Sequence, residues 1–302
     1  MLDFRMETFL TVCHYMNFTH AAEALHLTQP AVSQHIRYLE TKYEVPLFYR
    51  EKKKLSLTSA GELLLSTLET MQNDENTLKK RMQESLSRKK ILTFGVTMTI
   101  GEYAILPSLA SFIKSHPDMD LHIRYGNTQT LLTCLQKGSI DFALVEGYFI
   151  EDKYDTHIYK EDSYIAVASS LHKFQQPVHG LRDLTKERLL TREHGSGTRA
   201  ILSKTLALKN MSVQDFSHIV EVENIHTIVS LLQEDCGISF LYKSAVEKEL
   251  LDGTLQQIPL SDFQMTHDFS FIWNKGSVFS KEYEAVFQEL KNTFPVRHSS
   301  SR

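Results

Sequence analysis

Gln29, Pro30, Ser33, Gln34 and Arg37 fall at i, i+1, i+4, i+5 and i+8 of one helical period, opposite apolar Val32, Ile36 and Leu39. That spacing gives a helix with one buried stripe and one polar face. The residue types on the polar face are those that read a DNA duplex. Arg makes bidentate contacts with guanine, Gln with adenine, and Ser with either.

A reading helix needs neighbours that hold it. Leu2, Met6, Phe9, Leu10 and Cys13 recur at helical spacing before it. Thr19 is expected to cap a second helix carrying Ala21, Ala22 and Leu25, whose small residues allow close crossing. Thr28 is expected to cap the third, with Pro30 in its first turn, where a missing N–H costs nothing. Short extended runs at 47–50 and 55–57 flank Lys52, Lys53 and Lys54. The arrangement predicts a helix-turn-helix followed by a hairpin whose lysine tip lies on phosphates.

Ser59 and Glu62 form an S-x-x-E signature and open a long helix over 59–88. Leu64, Leu68, Met71, Leu78 and Met82 repeat by fours and threes along it, with Glu75 on the same seam. This heptad-like pattern predicts pairing with a second copy of the chain.

From Ile91 the texture becomes alternating strands and helices, the signature of a mostly parallel α/β sheet. About 210 residues without an internal repeat suggest two lobes. Four strand-to-helix junctions carry polar side chains: Thr97, Met98, Thr99 and Ile100; Asn127 and Thr128; Ser196, Gly197, Thr198 and Arg199; Asn224 and His226. Helix N-termini attract anions, and ligands of open α/β sheets bind at the carboxyl ends of strands. Converging, the four would enclose a small anionic or polar metabolite. Glu146, followed by Gly147, places a negative charge near that cleft. It could select a cationic or hydroxyl group, or pair with Arg199.

Composition narrows the function classes. The 302 residues carry 33 Lys+Arg and 37 Asp+Glu, a net charge of −4. Yet residues 28–58 hold six basic residues against three acidic ones, a local excess that suits a polyanion. Three well-separated cysteines (Cys13, Cys134, Cys236) fit neither a disulfide framework nor a metal site, which predicts a reducing cytoplasm. No apolar run is long enough for a membrane span, and the first residues lack the pattern of an export signal. No G-x-S-x-G, P-loop or H-E-x-x-H motif occurs, and the 14 histidines are scattered. The chain is not expected to be an enzyme or to hold a cofactor.

The ordered series Phe9, Val12, Phe18-Thr19, Ala21-Ala22, Leu25, Thr28-Gln29-Pro30-Ala31-Val32-Ser33, Ile36, Leu39-Glu40, Leu47-Phe48, Arg50, Leu57-Thr58 and Ala60-Gly61 resembles the N-terminal signature of LysR-type transcriptional regulators. The whole chain fits that family. The resemblance implies a winged helix-turn-helix over 1–58, a linker helix over 59–90 and an effector domain over 91–302. That domain would be similar to periplasmic solute-binding proteins, with lobe I at about 91–161 and 267–302 and lobe II at about 162–266. Carried over, Thr28, Gln29, Pro30, Ser33, Gln34 and Arg37 would face the major groove, while Thr19, Arg50, Lys52, Lys53 and Lys54 would hold the backbone. Implied partners are double-stranded DNA, a small-molecule effector and further copies of the chain as a dimer or tetramer, with room for RNA polymerase. A departure from the pattern is Glu44, where the family usually has glycine. The competing reading is a solute-binding or ligand-sensing protein without DNA binding.

Overall fold

The computed structural model describes residues 3–51, 54–87 and 90–292, without the side chains of Arg50, Glu51 and residues 83–87. Three short helices open the chain: α1 (Phe4–Tyr15), α2 (Phe18–Ala24) and α3 (Gln29–Tyr43). They enclose a core of Phe9, Val12, Ala21, Ala22, Val32, Ile36 and Leu39. Burying each of the large aliphatic side chains contributes about 1.5–3 kcal/mol. The α2 cap is Asn17, not Thr19. The Asn17 side chain accepts from the Thr19 and His20 N–H groups, so Thr19 lies inside the helix. Helix α3 ends on Glu44 at φ 58° and ψ 26°, the left-handed conformation that the family glycine would favour.

Strands β1 (Phe48–Glu51) and β2 (Lys54–Leu57) pair antiparallel. The Glu40 carboxylate accepts from Leu47 and Phe48 N–H and fastens this hairpin to α3. Helix α4 (Ser59–Ser87) follows, capped by Thr58 rather than by a Ser59 box: the Thr58 hydroxyl accepts from Gly61 N–H at 3.0 Å.

The remaining chain alternates as the sequence suggests. The first lobe holds β3 (Lys90–Val96), α5 (Leu106–Ser115), β4 (Met119–Tyr125), α6 (Thr128–Gln136) and β5 (Phe142–Val145). A long strand β6 (Tyr154–Ser169) carries the chain into the second. There lie β7 (Arg188–Thr191), α7 (Gly197–Ala207), β8 (His218–Glu221), α8 (Ile225–Gln233), β9 (Ile238–Tyr242), α9 (Glu247–Asp252) and β10 (Leu255–Gln257). Strand β11 (Met265–Asn274) returns, and α10 (Ser280–Asn292) packs on the first lobe beside α5.

The sheet is mixed rather than mostly parallel, in the order β4-β3-β5-β11-β6-β9-β7-β8, with β10 on β6. Each lobe has a parallel trio (β4-β3-β5 and β9-β7-β8), while β6 and β11 run antiparallel to their neighbours. Strand β6 pairs with β11 from Tyr154 to Tyr164, then with β9 from Tyr164 to Ala168. Tyr164 is therefore the residue at which the sheet passes from one lobe to the other.

Candidate DNA-reading face and inter-lobe cleft

The polar face of α3 is open. Gln29, Pro30, Gln34 and Arg37 are exposed and Ser33 is half-buried, while Val32, Ile36 and Leu39 are buried behind them. The Thr28 hydroxyl caps the helix by accepting from Ala31 N–H. Gln29 Nε2 donates to Ser33 Oγ at 2.8 Å, so these two side chains hold each other in the free protein. The face borders a groove of about 890 Å³ whose other wall is Phe48, Tyr49 and Leu55 of the hairpin. Tyr49 is 47% exposed there and was not anticipated; an aromatic in an alternating strand gives no separate signal. Thr19 is exposed on α2 and Lys54 on β2. Arg50 belongs to β1, but its side chain, like the whole of Lys52 and Lys53, lies outside the described residues.

The seam of α4 divides. Leu68 is buried in the N-terminal core and Leu64 packs against it. Leu68 is thus unavailable to a second chain. Met71, Leu78 and Met82 are each at least half exposed. A polar face of the same helix docks on its own first lobe. Asn73 Nδ2 donates to the Leu135 and Ile140 carbonyls, Thr77 to Asp141, and Asp74 accepts from Ser277 and Val278. Arg81 meets Glu282 at 2.6 Å.

Between the lobes the centre is Glu146, 1% exposed at the end of β5. Thr97 donates to its Oε2, and Thr99 and Thr198 each donate to Oε1 at 3.3 Å. The Thr128 hydroxyl donates to the Glu146 carbonyl at 2.7 Å. Three of the four junctions therefore meet at one residue. Burial pushes the Glu146 carboxyl above the usual carboxylate range, and the Thr97 bond and the Arg192 charge pull against it. Around this centre Asn127 Nδ2 donates to Glu193, Gln129 N–H to the Gly195 carbonyl, and the Tyr164 hydroxyl to the Thr198 carbonyl.

Other expected cleft residues stand elsewhere. Ile100 is fully buried in the main core, and Met98 packs against the apolar cluster of the second lobe. Asn224 caps α8 through Thr227 N–H, and His226 is exposed on that helix. Arg199 pairs with Glu221 and the Arg192 carbonyl, not with Glu146. The cation whose field reaches Glu146 is the buried Arg192. It follows β7, a strand whose short Leu189-Leu190 run carried no legible period.

Family models, a relative and solved structures all share this architecture. Residues 4–62 match the family described as bacterial regulatory helix-turn-helix protein, lysR family, and residues 87–295 match the LysR substrate binding domain. The chain is 28% identical over 295 residues to the HTH-type transcriptional regulator CysL of Bacillus subtilis, covering 96% of each. A hydrogen-peroxide-bound cysteine-to-serine mutant of OxyR from Corynebacterium glutamicum superposes with a TM-score of 0.58 at 23% identity, over 96% of this chain and 91% of that one. Full-length LysG of the same organism, with bound effector Arg, gives 0.58 at 17%, over 96% and 98%. With a polar face exposed on α3, a two-lobe domain, and family matches over residues 4–62 and 87–295, the chain belongs to the LysR family of DNA-binding transcriptional regulators.

Proposed function

We propose that the chain reads its operator with Gln29, Ser33, Gln34 and Arg37 of α3 in the major groove. Thr19, Arg50 and the lysine tip hold the phosphates, and a small polar molecule bound between the lobes modulates the outcome. The observation that carries this reading is the exposure of Gln34 and Arg37 opposite a fully packed Val32–Ile36–Leu39 stripe. Glu40 accepts from Leu47 N–H and so fastens the hairpin against the same helix.

Two copies pair along the exposed Met71, Leu78 and Met82 of α4, and two such pairs make a tetramer. LysG carries arginine as its bound effector; in this chain the meeting of three strand-to-helix junctions at Glu146 supports reading the inter-lobe cleft as the effector site. Ligand binding would shift the balance of lobe arrangements only through its different affinity for each.

Fluorescence anisotropy with duplexes from the region upstream of the coding sequence tests the DNA reading. Binding with a preferred sequence is expected, with log affinity falling about 0.9 per neutralised phosphate against log salt. Absence of any duplex binding at low ionic strength would overturn it and favour the ligand-sensing alternative.

A further inference from the structure

The hydroxyls that a free anion would need are already taken. Thr97, Thr99 and Thr198 donate to the two Glu146 carboxylate oxygens, and Thr128 donates to the carbonyl of the same residue. Thr97 and Thr99 follow β3 in the first lobe, whereas Thr198 stands in the first turn of α7 in the second. One carboxylate thus receives donors from both lobes. It is 1% exposed, within the field of the buried Arg192. The lobes meet backbone to backbone beside it, since a Cβ on Gly197 would lie 2.0 Å from the Glu146 carbonyl oxygen.

A bare buried carboxylate is costly, and one with a full set of donors is tolerated. Glu146 is therefore in the position of a ligand: a compact carboxyl group, out of water, bridging two lobes through hydroxyl donors. It differs from a ligand only in being covalently attached.

We propose that Glu146 is a tethered occupant of the inter-lobe anion cradle. Its carboxylate closes the lobes as a small free monocarboxylate would, and removing it leaves a binding site for that class of molecule. Small anions are correspondingly excluded from the unaltered cleft, because their donors are occupied. The inference rests on the reading of this cleft as the effector site, and it concerns which chemistry the cleft accepts.

Acetate is the probe. In the full chain, Glu146→Ala should melt at a lower temperature than the unaltered protein. Acetate at constant ionic strength should then raise its melting temperature in a saturable way, and chloride should not. The unaltered protein should respond to neither. Adding Thr99→Val and Thr198→Val to Glu146→Ala should abolish the acetate response. A folded Glu146→Ala protein that treats acetate and chloride alike would overturn the proposal.

Should Glu146→Ala fail to fold, Glu146→Gln keeps the shape but loses the charge. It should show faster amide exchange at 97–101 and 196–200, and unchanged exchange there would overturn the proposal equally. These readouts use no DNA, so their failure is distinguishable from failure of the regulator reading, which the duplex-binding measurement tests.

Discussion

Gly147 and Gly197 touch across the cleft: a Cβ on Gly147 would lie 2.5 Å from the Gly197 Cα. Gly147 also has φ +91°, a conformation that side chains rarely adopt. The neighbour at each position is backbone, which cannot turn aside as a flexible side chain could. Gly197→Ala should therefore force the lobes apart at the Thr198–Glu146 bond. A stability loss of about 1–3 kcal/mol is expected, as for overpacking of a core. Urea unfolding and small-angle scattering would measure it. An alanine variant with unchanged stability and dimensions would mean that the lobes are not held at this contact.

Glu44 ends α3 with a left-handed backbone that costs a non-glycine residue roughly 1 kcal/mol. Glu44→Gly should raise the stability of the N-terminal domain by up to about that amount, less the added freedom of glycine in the unfolded chain. Denaturant titration reads the change. A decrease in stability would show that the Glu44 side chain makes a compensating contact.

The linker helix separates two roles that one heptad pattern had joined. Leu68 is 1% exposed in the N-terminal core, whereas Met71 and Leu78 are 50% and 51% exposed. Met71→Glu with Leu78→Glu should dissociate the oligomer while each chain stays folded. Leu68→Ala should instead cost about 2–5 kcal/mol of stability by leaving a cavity. Light scattering with thermal unfolding distinguishes them. Oligomers that survive the double charge substitution would place the interface on another face.

Much of this is legible in the sequence. The α3 stripe is legible because Val32, Ile36 and Leu39 keep helical spacing against polar neighbours. Strand β5 (Phe142–Val145) and helix α8 (Ile225–Gln233) are legible in the alternation that starts at Ile91, since each is bounded by sharp changes of polarity. The first half of β6 is not legible, because Tyr154–Ser163 mixes charged and apolar residues that alternate only loosely. The mixed sheet escapes for a related reason: periodicity reports that a strand exists, not which way its neighbours run. In the cleft, residue types identify Thr97, Thr99, Thr128 and Thr198. Their common partner is not deducible, since Glu146 meets Thr198 across 52 residues of chain. The caps at Asn17 and Thr58 differ from the expected Thr19 and Ser59, because nearby residues with equally suitable side chains compete for the same role.

The most direct test of the account is competitive binding of the unaltered protein and Arg37→Ala to a set of operator duplexes with single base-pair changes, at fixed salt. The account predicts that Arg37→Ala loses about 1–3 kcal/mol of discrimination, confined to one or two adjacent base pairs. Binding to unrelated duplexes should fall only by the loss of one positive charge. An Arg37→Ala protein with the same ranking of every duplex would contradict the claim that this face of α3 lies against the bases.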